Sequence, residues 1–383
     1  MDRPEQLKVA HRMLDLVERK TTEMADGPIT VPVSSYLDEE RFADEMDRIF
    51  GRVPLLLAFG GELPEPGDHK AMDVMGTPVL LTRGADGVVR SFLNVCRHRG
   101  AIVTEEGCGH ARRHTCPYHG WTYDTDGTLV GVPGQEGFAG VDREPLGLTP
   151  LPVEERAGII FGQTTPGLPL ALDGWLGGVD ELLAPLDIGS WKLLDRRELA
   201  GPNWKVCYDG YLEGYHFASL HRETLHKQIM SNVMCFDSYG PHQRVGFARQ
   251  GIEKLRDKPD SEWGPFEGIS VIVTFFPHCS LVLSKDGGFL SQLWPGPTVG
   301  ESSTTQSMYR TTIPETDEEQ ALVDLQAEFL YGVVKDEDYA TGFGIQRGLR
   351  SGATAKAGET FVFGANELGN QRFHATVEEL LAR

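Results

Sequence analysis

Cysteine is scarce in this sequence, with six residues among 383. So low a density excludes a small secreted scaffold held together by disulfides, and the cysteines are better interpreted as thiols or metal ligands. Positive charge is also in short supply, because 36 Lys and Arg residues stand against 56 Asp and Glu, for a formal net charge of -20. Such an acidic chain is a poor partner for nucleic acid or for an anionic membrane surface.

Long hydrophobic runs are missing as well. The run VPLLLAF at residues 53–59 is among the longest, and it falls far short of the roughly 20 residues that a membrane span requires. The N-terminal stretch MDRPEQLKVAHRMLDLVERK is charged throughout and has no apolar core of the kind that a signal peptide contains. We therefore expect a cytoplasmic protein with no membrane partner.

Apolar spacing and turn signals divide the chain into three parts. Residues 1–45 repeat apolar side chains every three to four positions, which predicts helices that pack on the C-terminal domain. Residues 46–163 contain short β-like runs between turn signals and predict a small all-β domain with hairpins at 79–93 and 121–130. Residues 164–383 mix helical and strand-like patterns and predict a second, larger domain.

Two helices are predicted in the C-terminal part. One covers residues near 206–230. The other opens at Thr316 with Glu319 three positions on, a capping-box pattern, and ends in the sequence KDED at residues 335–338. Its apolar stripe is predicted to face a core and consists of Leu322, Leu325, Phe329 and Val333.

Two short motifs in the predicted β domain each combine a cysteine with a histidine, in the order Cys96-x-His98 and Cys116-x-x-His119. Two such loops facing each other can hold a binuclear cluster with both thiolates on one iron and both imidazoles on the other, which is a Rieske [2Fe–2S] centre. Glycine and proline beside the ligands let the backbone turn tightly around inorganic sulfide. Neighbouring residues outside the pattern are interpreted as bystanders: Cys108, His110 and His114.

A structural zinc site is the alternative, since two cysteines and two histidines also suit tetrahedral zinc. Zinc motifs usually supply their cysteines as one pair and their histidines as another, whereas each half of this motif mixes the two types. The spacing therefore favours the Rieske centre.

A second candidate metal site is the sequence Glu213-x-x-His216-x4-His221, within the predicted 206–230 helix. Two imidazoles and one carboxylate form the facial triad of non-haem Fe(II) oxygenases, which leaves coordination positions open for O2 and substrate. On an ideal helix His216 and His221 lie about 140° apart, so the helix must widen or end between them. Asp209, four residues before Glu213, is either a partner of this site or an exposed acid.

With Asn203-Trp204-Lys205 just upstream, the two motifs resemble the catalytic α subunits of the Rieske non-haem iron oxygenases, a family of ring-hydroxylating dioxygenases and related monooxygenases and demethylases. The resemblance covers about residues 35–375. It implies an α+β fold with a small all-β Rieske domain and a catalytic domain of helix-grip type, an antiparallel sheet with helices.

The resemblance also implies a ligand set for a mononuclear Fe(II). The two motif histidines, here His216 and His221, bind the metal in the family, and the third ligand is a distant Asp preceded by Glu. In the family pattern Gln-Arg-Gly-Leu begins eight residues after that acid. Asp338, followed by this sequence at 346–349, fits the pattern, and Asp336 is the alternative.

Glu213 stands where family members usually carry Asp. That acid in the family orients a ligand histidine and also bonds the outer Rieske histidine of a neighbouring subunit, here His119, within head-to-tail rings of three chains. The resemblance therefore implies a homotrimer in which Glu213 bridges the electron path between the two metal centres.

The activity implied is that of a terminal oxygenase, in which the Rieske centre delivers single electrons to Fe(II), which activates O2. The expected reaction is mono- or dihydroxylation of an organic, aromatic substrate. The alternative is a monooxygenase or demethylase acting on a quaternary amine such as a carnitine- or choline-like compound, because Glu at the position of Glu213 occurs in such relatives. No dinucleotide-binding motif is present, so electrons must come from a separate NAD(P)H-dependent reductase, with or without a ferredoxin.

Other features bear on partners and substrate. Four arginines around the cluster loops form a basic patch, which either steers an acidic electron donor or serves only to solvate the loops: Arg97, Arg99, Arg112 and Arg113. Candidate pocket residues, for which core packing is the better interpretation, are Phe217, Met230, Met234, Val271, Phe275 and Leu281. A pure electron carrier and a hydrophobic-ligand binding module are the competing classes, and iron content separates them from an oxygenase: about three irons per chain against two.

Overall fold

The computed structural model describes residues 1–352 and 359–383. The chain forms two compact units. The larger unit comprises Met1–Ile49, Asp173–Leu186 and Lys192–Arg383, and the smaller unit comprises Phe50–Leu172 and Asp187–Trp191. The boundaries fall at residues 49 and 172, whereas the sequence patterns placed them at 45 and 163.

The N-terminal segment belongs to the larger unit. Helix α1 (Arg3–Arg19) is capped by the side chain of Asp2 and buries an apolar edge that includes Val9 and Met13. After strand β1 (Ile29–Pro32), helix α2 (Glu39–Glu45) begins behind the capping side chain of Asp38. The predicted N-terminal helices are therefore present. The second, expected to begin near Ser35, begins at Glu39, because Asp38 caps it and its first turn carries acids.

The smaller unit is built of short strands, as predicted. Its three sheets have the strand orders β10-β5-β4-β3-β6, β11-β12-β2 and β7-β8-β9. The predicted hairpins are the antiparallel pairs β4–β5 and β8–β9. The strands are β2 (Leu55–Phe59), β3 (Asp68–Val74), β4 (Thr77–Arg83), β5 (Val89–Leu93), β6 (Gly107–His110), β7 (Arg113–Thr115), β8 (Thr122–Asp124), β9 (Leu129–Gly131), β10 (Pro150–Leu151), β11 (Val153–Arg156) and β12 (Ile159–Gly162).

The larger unit is organised around one antiparallel sheet of seven strands, in the order β13-β19-β18-β17-β16-β15-β14. Short helices α3 (Leu172–Leu176) and α4 (Val179–Leu183) precede it, and helix α5 (Trp204–Asp209) follows its first strand. The strands are β13 (Lys192–Gly201), β14 (Ile229–Tyr239), β15 (His242–Arg249), β16 (Ile269–Phe275), β17 (Cys279–Ser284), β18 (Gly287–Pro295) and β19 (Ser302–Arg310). An antiparallel sheet combined with helices confirms the α+β class predicted for the catalytic domain.

The two faces of this sheet have different neighbours. Gly246 on β15 lies against Val9 of α1, so its side of the sheet faces α1. The next residue, Phe247, points to the opposite face, because side chains alternate along a strand, and stacks on Phe217. We call this second face the inner face. The predicted pocket residues Val271 and Leu281 pair in register with Gly246 and Leu290 on the other face, so they do not lie on the inner face.

The predicted 206–230 helix is wrong. Helix α5 ends at Asp209, and only short 3-10 turns at Tyr215–Ala218 and Leu225–Lys227 follow before β14. Gly210 and Gly214 separate these pieces, and glycine in a helix interior costs about 1 kcal/mol relative to alanine. The helix therefore ends before it reaches the two motif histidines, and the 140° separation expected on an ideal helix does not apply to them.

The late helix also differs from its prediction. Helix α6 (Asp317–Gly332) is capped by Thr316 as predicted, but it does not stop at residues 335–338. It continues through a π-helical segment at Val333–Tyr339 into helix α7 (Ala340–Arg350). Strand β20 (Thr360–Phe363), paired with β1, and helix α8 (Leu368–Ala382) complete the chain.

The predicted core stripe of α6 is wrong for three of its four residues. Leu322, Leu325 and Phe329 are exposed, whereas Val323 and Ala327 are the residues that α6 buries. They pack beside Phe289 and Met308 of the sheet. A spacing of three to four residues fits two adjacent helix faces here, and packing against the sheet selects the one with smaller side chains.

Among the residues that the structure describes, no helix combines the length and the apolar composition that a membrane span requires.

Candidate metal centres

The two Cys/His loops of the smaller unit have the same backbone design. The N–H groups of Cys96 and Cys116 each donate, at 2.8 Å, to the carbonyl five residues later, and the carbonyls of both cysteines accept from Gly100 and Gly120, at 2.9 and 3.0 Å. Both glycines have positive φ, 78° and 72°, a conformation that glycine adopts without steric penalty. The sequence therefore builds two equivalent tight loops, each presenting one thiol and one imidazole.

The four predicted ligands of these loops are brought together. Cys96 and Cys116 are buried, and the rings of His98 and His119 lie 4.6 Å apart between centroids. The Nδ1 atom of His98 is buried and has no hydrogen-bond partner within the part of the chain that is described. Because buried polar atoms nearly always have a partner, this orphaned nitrogen fits a metal bond, and the residues present fit a [2Fe–2S] cluster.

Side chains around the loops support both pairs of ligands. Tyr123 places its hydroxyl 3.3 Å from the Cys96 sulfur and accepts from the backbone N–H of Arg97. Trp121 stacks on His98 at 4.8 Å with the ring planes 7° apart. Desolvation and the adjacent positive charge of Arg99 lower the pKa of His119, which favours the neutral imidazole that binds metals.

The four arginines of the predicted basic patch are accessible to solvent. Arg97, Arg99, Arg112 and Arg113 are all exposed. The three residues interpreted as bystanders do not belong to the cluster loops. His110 bonds Asp68 at 2.8 Å, and His114 is buried beside Thr104. Cys108 is exposed on β6. Burial lowers the pKa of His114 to about 4.

In the larger unit, His216, His221 and Asp338 converge. Their ligand atoms all lie within 4.8 Å of one another. The Nε2 atoms of the two histidines are 3.1 Å apart, and Asp338 Oδ1 lies 3.6 Å from His216 Nε2 and 3.1 Å from His221 Nε2. Asp336, the alternative acid, is exposed and is not part of this group. Two imidazoles and one carboxylate on one side of a shared point fit a mononuclear Fe(II).

Each of the two histidines is oriented by its own glutamate. His216 Nδ1 contacts Glu213, which also accepts from the backbone N–H groups of Tyr215 and His216. His221 Nδ1 donates to Glu337 at 2.5 Å, and Glu337 also accepts from the Thr224 hydroxyl at 2.8 Å. With both Nδ1 atoms held by carboxylates, both Nε2 atoms are left to face the metal position.

Glu337 was missed by the sequence analysis, although the family pattern named a Glu at that position. Its neighbour Asp338 lies in the same π-helical segment, Val333–Tyr339. Successive residues of an α-helix point about 100° apart, and the wider π turn reduces that angle. The π segment thus allows one acid to contact His221 Nδ1 while the next reaches Nε2, and such segments are frequent at functional sites.

The electrostatics of this site favour a cation. Burial alone would lower the pKa of His221, yet the carboxylates of Asp338 and Glu337 outweigh it and raise that pKa above its ordinary value. The surroundings therefore stabilise positive charge at the point where the ligand atoms meet. This observation, with the donor set, fits a divalent metal.

The upstream motif Asn203-Trp204-Lys205 anchors the chain that leads to Glu213. Asn203 caps α5 by accepting from the Lys205 N–H at 2.9 Å. The side chains of Trp204 and Lys205 both bond the buried carboxylate of Glu45, at 3.0 and 2.6 Å. This pairing compensates the burial of both charges and fixes the position of α5.

Asp209 was considered as a partner of the iron site or as an exposed acid, and it is neither. It accepts from the Tyr36 hydroxyl at 2.7 Å and from the Asn370 amide, and it contacts His374 at 3.0 Å. These contacts tie α5 to α8 and to the N-terminal segment, and so hold the end of α5 just before the Glu213 loop.

Two protein-family models match the chain. Residues 188–383 match the model described as the ring hydroxylating alpha subunit (catalytic domain), and residues 54–146 match the Rieske [2Fe-2S] domain. The first match covers half of the chain and includes all three converging residues of the larger unit.

Curated relatives share the same architecture. The carnitine monooxygenase oxygenase subunit of Escherichia coli is 28% identical over 354 residues, which cover 90% of this chain and 92% of the relative. The glycine betaine monooxygenase oxygenase subunit of Pseudomonas aeruginosa is 34% identical over 203 residues, 52% of this chain and 46% of the relative. The biphenyl 2,3-dioxygenase subunit alpha of Rhodococcus jostii is 35% identical over 189 residues, 48% and 41% of the two chains.

Solved structures agree on the fold. The quaternary ammonium Rieske monooxygenase CntA in complex with L-carnitine is 24% identical, with a TM-score of 0.77 over 92% of this chain and 95% of that chain. Naphthalene 1,2-dioxygenase with bound indole is 19% identical, with a TM-score of 0.72 over 93% and 92%. The chain therefore belongs to the catalytic α subunits of the Rieske non-haem iron oxygenases, enzymes that hold a [2Fe–2S] cluster and a mononuclear iron and use O2.

Proposed function

We propose that this chain is the oxygenase subunit of a monooxygenase that hydroxylates or demethylates a quaternary amine. The observation that carries the proposal is the similarity to a carnitine monooxygenase subunit over 90% of the chain. A glycine betaine monooxygenase subunit among the relatives supports the same substrate class, as does the Glu at position 213. The relatives thus favour the quaternary amine, the alternative substrate class of the sequence analysis, over an aromatic compound.

We assign the metal ligands on the geometry of the two sites. Cys96, His98, Cys116 and His119 would hold the [2Fe–2S] cluster, which supplies electrons one at a time. His216, His221 and Asp338 would hold the iron that activates O2. Glu213 and Glu337 keep the two iron-binding imidazoles in one orientation and one tautomer.

Electrons must reach the oxygenase from a reductase, since members of this family depend on one. The exposed arginines around the cluster loops would attract an acidic electron donor, with a rate that falls as salt rises. We also propose that the chain assembles as a homotrimer in the cytoplasm. A similar protein, a quaternary ammonium Rieske monooxygenase, is described in connection with inter-subunit electron transfer.

The substrate class is tested by anaerobic screening with the Fe(II)–nitrosyl EPR signal as the readout. Carnitine, choline, glycine betaine and γ-butyrobetaine would be compared with benzoate and biphenyl on the same preparation. We expect quaternary amines, and not the aromatic compounds, to perturb the signal. In a separate assay with O2 and reductant, the same amines should yield formaldehyde or another aldehyde. A response to biphenyl or benzoate alone would favour the aromatic substrates, which the biphenyl dioxygenase relative makes the second candidate.

Replacement of Glu213 by glutamine tests the bridging role. The amide keeps the size of the side chain but loses the charge that pairs with His216, so we expect both metals to bind while electron transfer between them slows. Loss of such a partner typically costs about 10- to 100-fold in metal affinity or activity, and we expect turnover to fall by a factor of that size. The measurement is single-turnover oxidation of the reduced cluster.

The matched control is Glu337→Gln, because Glu337 orients the other histidine without the role proposed for Glu213. It should affect iron binding to a similar extent as Glu213→Gln, because both glutamates orient a histidine in the same way, but it should leave the rate of cluster oxidation in iron-loaded protein closer to wild type. An oxidation rate equal to wild type in Glu213→Gln would remove the bridging role.

A further inference from the structure

A row of polar side chains crosses the sheet of the larger unit on its inner face. Strand pairing places Thr274 opposite Ser280, Ser280 opposite Ser291, and Ser291 opposite Gln306. Each of the four is only 1% exposed. Because directly paired residues share a face of the sheet, these side chains form one continuous polar row over β16, β17, β18 and β19.

The row lies beside the candidate iron site. Tyr339 follows Asp338 directly in the chain, and its hydroxyl bonds that of Thr304 at 2.5 Å. Thr304 precedes Gln306 by two residues on β19, so the two side chains point to the same face. Tyr211, two residues before Glu213, approaches Ser291 of the row with its hydroxyl. The residues that hold the iron ligands therefore contact the same face that carries the row.

Several polar atoms here have no partner in the described chain. Both amide atoms of Gln306 and the hydroxyl of Ser280 are buried without a hydrogen bond. The buried hydroxyl of Tyr211 lies near both Ser291 and Tyr339. Since buried polar groups in proteins are nearly always hydrogen-bonded, these atoms face a partner that the chain itself does not supply.

The chemistry of the row selects an uncharged partner. Gln306 offers a donor and an acceptor, and a hydroxyl offers both as well. The positive charge in line with the row, Arg197 opposite Gln306 on β13, is already bound to Asp195 and Glu328. A buried carboxylate would lack a cation among these residues, whereas a hydroxyl group satisfies the donors and the acceptor together.

We propose that Gln306, Ser280 and Tyr211 form a subsite that binds an uncharged hydroxyl group of the substrate. The inference rests on the proposed function and narrows it to a quaternary ammonium alcohol. Its hydroxyl lies in the polar row, and an N-methyl group is presented to the site formed by His216, His221 and Asp338.

The test is calorimetric binding to the holoenzyme. Choline and ethyltrimethylammonium differ only in the hydroxyl group, and we expect the wild type to bind choline about tenfold more tightly, as one good hydrogen bond allows. In Gln306→Leu this preference should disappear through weaker choline binding alone. Gln292→Leu is the matched control, because Gln292 is equally buried but lies on the opposite face of β18. The Gln292→Leu variant should keep the wild-type preference for choline over ethyltrimethylammonium.

Other outcomes overturn the subsite. Equal weakening of both ligands in Gln306→Leu would give the row a structural role only, and tighter wild-type binding of glycine betaine than of choline would reject the uncharged partner. If Gln306→Leu fails to fold by thermal melting, Ser280→Ala replaces it. The neutral isostere 3,3-dimethylbutan-1-ol separates the two proposals: Gln306-dependent binding of this alcohol without binding of any quaternary amine would reject the proposed function and keep the subsite.

Discussion

Replacing His216 or Asp338 by alanine is expected to abolish turnover and to leave the [2Fe–2S] spectrum intact. Each substitution removes one of three ligand atoms that lie within 4.8 Å of one another. Loss of a residue that only orients a ligand already costs 10- to 100-fold, so loss of a ligand itself should lower turnover by more than about 100-fold. Because the ligands of the [2Fe–2S] cluster belong to a different compact unit, the EPR signal of the reduced cluster should not change.

Asp336→Ala is the matched control for Asp338→Ala. Both acids lie in the π-helical segment, but Asp336 is exposed and outside the converging group. Its removal should leave turnover close to that of wild type, because surface substitutions away from special contacts usually change stability by less than about 0.5 kcal/mol and Asp336 lies outside the ligand group. The opposite pattern, with activity lost in Asp336→Ala and kept in Asp338→Ala, would show that Asp338 is the wrong acid. Iron content measured on each variant distinguishes a lost ligand from a lost fold.

The second large effect is expected at the cluster loops. Cys96→Ala removes a buried thiol, and His119→Ala removes one of the two imidazoles that face each other at 4.6 Å. Both changes should eliminate the red-brown colour and the reduced-cluster EPR signal, because a Rieske centre needs all four ligands. Iron content should fall from about three atoms per chain to about one.

Cys108→Ala serves as the control for this pair. Cys108 is an exposed cysteine of the same unit that lies outside the motif, and its replacement should leave the EPR signal unchanged. A signal that survives in both Cys96→Ala and His119→Ala would overturn the cluster assignment. Tightly bound zinc in place of iron in the wild-type protein would point to the alternative considered for this motif.

The sequence predicted the cluster loops well because everything they need is local. Each loop fits within six residues, and its cysteine, histidine and glycine can be read directly from the motif. Asp338 is different: it lies more than a hundred residues from His221, and only the resemblance to a family connected the two. No spacing rule in a single sequence links residues so far apart.

The failures have physical causes. Gly210 and Gly214 argue against one long helix through Glu213, because glycine in a helix interior is destabilising. The continuation of α6 through an acidic stretch was not visible, because a π segment has no clear signature in composition. The polar row of Thr274, Ser280, Ser291 and Gln306 depends on the register of four strands, and strand register is not contained in any one of them.

The π-helical segment at Val333–Tyr339 has a consequence for how this site arose. Such a segment amounts to an α-helix that has gained a residue. Deleting one residue there would restore a regular helix from α6 to α7 and turn Glu337 and Asp338 about 100° apart. The pair of adjacent acids would then no longer contact one histidine from two sides. In evolutionary terms, a one-codon insertion in such a helix would bring two adjacent acids to one histidine of the metal site.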